Sequence, residues 1–319
     1  MDVYQRAGDM LLEMSVVKSW VKLQNAIERT AAKQPRDWQL PVLACEAVGG
    51  QDEQSIPAAA AIGCMQMSII LIDDMLDNDP RGEYHRIGEG ATANLAAALQ
   101  AAGMEAIIQS NANTDAKLGA VRSINQMILT TALGQHMDAQ NPQDEDAYWK
   151  LVRTKSSPFF GAALHVGAIL GGAAHDIAVQ VEKFGHLYGE MIQIHDDLND
   201  TMETPANPDW TQGRAPLPIL FAQVVGHPDR ERFLKLKDSI SVPDILAEAQ
   251  MILIRCGAVS YCIDQLLRRV QAAREILDNI SLACPEKLEG LLDDVVNPVM
   301  NLFMEIGIEQ PEAFLQPIE

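Results

Sequence analysis

The chain has 319 residues, with 24 Lys and Arg against 44 Asp and Glu and a formal charge of −20. At 48% apolar and 21% charged it can bury a sizeable core, which excludes a disordered chain. The acidic balance argues against a nucleic-acid or anionic lipid surface as partner, and it obliges any anionic substrate to be held by local cations or metal ions.

The first residues, MDVYQRAGDMLLEM, carry charges where a secretory leader needs an apolar run. The five cysteines, Cys45, Cys64, Cys256, Cys262 and Cys284, are odd in number and contain no C-x-x-C pair. They read as reduced thiols, and the expected location is cytoplasmic.

Helix formers dominate, and alternating β-branched runs are scarce. Breaks are expected at Gln34-Pro35, at Asp79-Pro80-Arg81-Gly82, at Asn141-Pro142, from Thr204-Pro205 through Pro218, at His227-Pro228 and at Val242-Pro243. Between them, Ser55–Ile72 and Ser156–Ala174 contain no Asp, Glu, Lys or Arg. Both read as central helices of a large soluble bundle rather than membrane spans. No Ser/Gly-rich linker or charge block divides the chain. The expected organisation is one all-α domain over 1–319.

Two aspartate clusters have the same form. Asp73, Asp74 and Asp77 close the first apolar helix; Asp196, Asp197 and Asp200 lie on a helix expected to begin near Ala178. The first and last Asp of each cluster are four apart and share a helix face. Like charges this close repel, and the first cluster sits near a helix C-terminus, where the macrodipole disfavours anions by about 0.3–1 kcal/mol. A divalent cation relieves both penalties, and carboxylates at this spacing can ligate Mg²⁺ while leaving positions for phosphate oxygens. Facing one another across an apolar cavity, the clusters would suit a metal-bound diphosphate carrying a hydrocarbon tail.

On these residues the chain resembles the trans-isoprenyl diphosphate synthase (polyprenyl synthetase) family. Gln193 matches the Gln before the second motif, Lys155-Ser156 resembles the family's Lys-Thr pair, and Gln212 to Pro218 resembles its Gly-Lys-x-Thr-x-Pro segment with Arg214 for Lys. Glu89 to Leu95 is similar to the helix after the first motif, and Cys256 to Tyr261 to a C-terminal Gly-Ala helix start.

The resemblance implies the isoprenoid synthase type I fold, a single large helical bundle around a central cavity, together with a homodimer, an allylic prenyl diphosphate substrate and three Mg²⁺ ions. Asp73, Asp74, Asp77, Asp196 and Asp200 are the implied metal ligands, with Asp197 and Lys155 also in the catalytic set. Arg81, Lys155, Gln193 and Arg214 are the implied diphosphate contacts, and Ser68 and Ile69 the residues beside the tail.

The departures are local. The family's cationic isopentenyl diphosphate segment, Gly-Gly-Lys-Arg-x-Arg-Pro, corresponds here to Ala32 through Pro41, where only Lys33 and Arg36 are basic. Gln66 stands at the family's His seven residues before the first Asp, and Pro80-Arg81-Gly82 at its Arg-Arg-Gly. His85 and Arg86 are the remaining candidates to rebuild a second anion site. An unpaired buried anion is severely penalised, so the allylic site is expected intact and the second diphosphate site weakened.

Two other readings are set against prenyl transfer. One is cyclisation or elimination, as in a terpene synthase, for which the N-D-x-x-S-x-x-x-E motif is missing. The other is a non-catalytic regulatory subunit, which retention of all six Asp argues against.

Overall fold

The computed structural model describes residues 2–138 and 141–305, with the backbone alone for 301–305. Among the described residues there is no β-strand. The helices in chain order are α1 (Val3–Leu12), α2 (Ser15–Lys18), α3 (Val21–Ala32), α4 (Leu40–Ala47), α5 (Asp52–Asp77), α6 (Tyr84–Ile87), α7 (Glu89–Gln109) and α8 (Thr114–Asp138). They continue as α9 (Glu145–Lys155), α10 (Ser157–Leu170), α11 (His175–Met202), α12 (Pro208–Thr211), α13 (Leu217–Val224), α14 (Arg230–Leu236), α15 (Pro243–Arg255), α16 (Ala258–Asp278) and α17 (Glu286–Glu305).

Helix ends follow local chemistry. The Asp2 side chain caps α1 through the Gln5 N–H, and Asp144 caps α9 through the Ala147 N–H. α5 opens with a reciprocal Gln51/Gln54 capping box, places Asp52 and Glu53 at its positive end, and stops where Asn78 turns left-handed at φ 54°. Every expected Pro break coincides with a helix end or an interhelix loop, although the long break from Thr204 to Pro218 also holds the single turn of α12. α11 starts at His175, earlier than expected from the sequence. Gly172, at φ 93°, ends the preceding apolar segment and releases the chain to begin a new helix.

Contacts divide the chain into two compact units interleaved in sequence. The first comprises Met1–Leu129, Phe159–Gly185 and Ile276–Glu289, and α5 is its core. Small residues let helices approach closely: Ala61 and Gly63 on α5, Ala96, Ala102, Gly103 and Ala106 on α7 are buried. A Cβ on Gly103 would lie 2.6 Å from Met65 Cε and 3.0 Å from the Ala61 carbonyl. One on Gly63 would meet the Trp38 ring at 2.4 Å, with Trp38 itself fully buried in the 3₁₀ turn Arg36–Gln39. Among the described residues α5 is the one single helix long and apolar enough to cross a membrane. Within its apolar window 72% is buried in protein, as expected of a core helix.

Among the described residues the second unit comprises 130–138, 141–158, His186–Glu275 and 290–305. Its α12–α15 region has a core of Trp210, Ile219, Phe233, Leu236, Leu246, Ile252 and Leu253. The Trp210 indole donates to the Thr201 carbonyl at 2.9 Å, fixing this layer to the end of α11. Elsewhere in the unit, buried Glu190 joins Arg269 at 2.7 Å and Arg153 at 2.9 Å, and Arg269 stacks on Trp149 at 3.7 Å. That network satisfies a carboxylate which burial alone would penalise.

Candidate active site

In the first unit, Asp73, Asp74 and Asp77 are half-buried on the last turns of α5. Burial pushes the Asp74 carboxyl up, and the negative charges of Asp79, Asp73 and Asp77 push the same way against the opposing Arg81. These are anions crowded at the negative end of a helix. The chain then reverses through Asn78 and Gly82; a Cβ on Gly82 would strike the Tyr84 ring at 2.5 Å and Asp74 Cβ at 3.0 Å. Asp79 grips Arg81 through Nε at 3.1 Å and Nη2 at 2.8 Å, and Arg81 holds the Asp79 carboxyl down to about 2. Arg81 thus stands beside the motif, held in the turn by its neighbour, with its side chain 88% exposed.

Ser68 is fully buried in the seam between α5 and α7, accepting from the Gln100 amide at 3.0 Å, and Ile69 is half-buried. The apolar side chains exposed near the motif are Ile70 and Leu76.

The segment from Ala32 to Pro41 and the residue at 66 form one hydrogen-bonded network. The Trp38 indole donates to Gln66 Oε1 at 3.0 Å, and the Gln66 amide donates to Asp37. Burial pushes the Asp37 carboxyl up, which favours its neutral form. Lys33, Arg36 and His85 are exposed, and Arg86 is paired with Glu83, which Arg29 also reaches at 3.3 Å.

In the second unit the three motif aspartates differ in exposure. Asp196 is exposed, Asp200 is half-buried and Asp197 is 4% exposed. Asp197 Oδ2 accepts from the Tyr148 hydroxyl and from the Leu217 backbone N–H, each at 2.7 Å; its Oδ1 accepts from the Gln193 amide at 2.8 Å. Burial pushes the carboxyl up to about 7, although all three donors favour its charged form. Gln193 Oε1 in turn accepts from Ser156 Oγ at 2.7 Å.

The Lys155 ammonium is hydrogen-bonded to Asp138, and Arg214 Nη1 lies 3.9 Å from Asp209 Oδ1. Burial pushes the Asp209 carboxyl up; Arg214 and Lys155 pull it down, and Asp200 and Asp138 push it up. Asp138, Lys155, Asp200, Asp209 and Arg214 therefore form one electrostatic group. Asp138 and Asp209 escaped the sequence reading, where each stands as an isolated acid. His195 Nε2 meets the Val295 carbonyl of α17 at 2.8 Å.

Among the described residues no three His, Cys, Asp or Glu side chains already converge as a metal-ligand cluster. The donors offered by both motifs are carboxylate oxygens, the hard ligands that suit Mg²⁺, and the crowding around Asp74 is a charge imbalance that a cation would correct.

The profile of the polyprenyl synthetase family matches residues 22–243. A short chain isoprenyl diphosphate synthase from Methanothermobacter thermautotrophicus is 28% identical over 273 residues, covering 81% of this chain and 83% of that one. A geranylgeranyl diphosphate synthase from Methanosarcina mazei is 26% identical over 266 residues, covering 77% and 79%. Among solved structures, a decaprenyl diphosphate synthase from Rhodobacter capsulatus superposes with TM-score 0.78 at 19% identity over 93% of this chain and 95% of that one. A geranylgeranyl pyrophosphate synthetase from Pyrococcus horikoshii gives 0.77 at 22% identity over 92% and 94%. The fold is the all-α one these structures share.

Proposed function

Because the chain belongs to the polyprenyl synthetase family, we propose that it binds an allylic prenyl diphosphate through Mg²⁺, ionises it and transfers the prenyl group. The observation that carries this reading is the crowding of Asp73, Asp74 and Asp77 on the last turns of α5 beside the Asp79–Arg81 pair, a set of carboxylate oxygens of the hard kind that Mg²⁺ takes.

Asp73, Asp74 and Asp77, with Asp196 and Asp200, would hold the metal, three ions in the expected complement. Bound Mg²⁺ supplies Lewis acidity that neutralises the diphosphate as the allylic C–O bond breaks. Lys155 and Arg214 add fixed positive charge toward the departing diphosphate, and Asp138 and Asp209 keep those two side chains in place until it binds. The Trp38–Gln66–Asp37 network supplies no cation to a second diphosphate.

The same reading makes the protein a cytoplasmic homodimer. Its five cysteines are free, and Ile108, Leu118 and Leu129 on α7 and α8 are exposed apolar side chains suited to helix packing between copies.

Farnesyl or geranylgeranyl diphosphate incubated with Mg²⁺, with and without labelled isopentenyl diphosphate, tests the proposal. Chelator-sensitive release of diphosphate is expected. Labelled product identifies isopentenyl diphosphate as the acceptor; absence of both release and Mg²⁺-dependent substrate binding overturns the reading.

A further inference from the structure

We propose that Asp197 stands behind the diphosphate site rather than in it, as a positioning residue that fixes where Lys155 and Arg214 present their charges. The inference rests on the prenyl-diphosphate reading above.

Donors from three helices converge on this one carboxylate: the Tyr148 hydroxyl from α9, the Gln193 amide from α11 and the Leu217 N–H that opens α13. They fill three of the roughly four lone-pair directions of a carboxylate. At 4% exposure the residue has no open face to offer an ion, in contrast to Asp196 beside it.

Two of the three donors lead to the cations. Gln193 passes the chain of bonds to Ser156 Oγ, and Ser156 directly follows Lys155. Leu217 closes the segment that begins at Arg214, and its N–H bond holds the buried end of that segment against α11. Tyr148 lies two helical turns before Lys155 on the same helix, so its bond fixes α9 at a second point. One carboxylate therefore registers both cationic side chains against α11, which carries Asp196 and Asp200.

This arrangement distinguishes a hub from a ligand by chemistry. An Asn at 197 can keep every bond. Its Oδ1 accepts from Leu217 and Tyr148, and its Nδ2 donates to Gln193 once that amide flips. The flipped Gln193 amide then donates to Ser156 Oγ, which accepts as readily as it donates. A metal ligand loses its charge and one oxygen in the same substitution.

Binding of Mg²⁺ with inorganic pyrophosphate, followed by calorimetry and thermal unfolding, separates the cases. D197N should bind within about threefold of the wild type, whereas D197A should bind about 10- to 100-fold more weakly at an unchanged Mg²⁺ half-saturation. D196N should raise the Mg²⁺ half-saturation itself. If D197N shifts that half-saturation as D196N does, Asp197 is a ligand and the inference is overturned. If D197A binds as the wild type does, Asp197 positions nothing and the inference is overturned again. Should D197A fail to fold, Y148F carries the comparison: weaker pyrophosphate binding at unchanged Mg²⁺ half-saturation supports the hub, and wild-type binding overturns it. Wild-type protein that binds no Mg²⁺–pyrophosphate sinks the prenyl-diphosphate reading itself, a result none of the variant outcomes can mimic.

Discussion

At the end of α5 the carboxylates of Asp73, Asp74 and Asp77 are all half-buried, with Asp79 and Arg81 folded back against them. On α11 the same spacing gives exposed Asp196, half-buried Asp200 and Asp197 sealed beneath Tyr148, Gln193 and Leu217. The sequence form D-D-x-x-D fixes which residues share a helix face. It leaves open what packs over the second Asp, and that is set by groups remote in sequence. Both motifs lie on the last turns of their helices; the turn after α5 folds back on the first, whereas α9 and the start of α13 pack over the second.

The largest expected effect sharpens the comparison at the motif ends. Asp73→Ala and Asp196→Ala should each slow Mg²⁺-dependent diphosphate release by about 100-fold or more, since each removes charge that counts when the leaving group departs. Thermal unfolding should show no loss of stability, because each substitution also relieves repulsion between like charges. Wild-type release rates in either variant would contradict the metal assignment.

At the second Asp the balance reverses. Asp197→Ala strands the Tyr148 hydroxyl and the Leu217 N–H, two buried donors at about 1–3 kcal/mol each. Chemical denaturation should therefore register a loss of that order, whereas Asp74→Ala at the equivalent position of the first motif should cost little stability. Equal losses at the two positions would erase the distinction between them.

The Asp197 carboxyl also has a signature in pH. Its folded value is about 7 against an ordinary 3.8, so across that window the native state holds a proton that the unfolded chain has shed. Stability from this group is present at low pH and is lost as pH rises toward 7, by at most about 1.4 kcal/mol per pH unit. Urea unfolding midpoints at about pH 5 and about pH 7 should differ less in Asp197→Asn than in the wild type. An unchanged difference would place the proton elsewhere.

Much of the scaffold was legible in the sequence because its signals are local. Pro35, Pro142 and Pro243 sit where helices stop or start, and the uncharged stretches became buried parts of α5 and α10. The two Asp motifs were legible for the same reason, as local spacings along α5 and α11. Asp138 was not, since an acid that holds a cation 17 residues away carries no local mark. Nor was the Tyr148–Asp197 bond, which spans 49 residues. The substitution of Gln for His at position 66 was visible, yet its partners Trp38 and Asp37 emerge only when the 3₁₀ turn packs onto α5.

The smallest effect concerns Ser68, which the sequence placed beside the prenyl tail and the structure places in the α5–α7 seam. Its hydroxyl meets the Gln100 amide at 3.0 Å with no exposed surface. Ser68→Ala removes one hydrogen bond while adding no volume, so a loss of about 1 kcal/mol is expected, with product chain length unchanged. Ser68→Phe is the sharper probe. A ring in so tight a seam should act as overpacking and cost about 1–3 kcal/mol or more. If it instead leaves stability intact and shortens the product, the side chain lines the tail pocket after all, and the seam is not what determines its role.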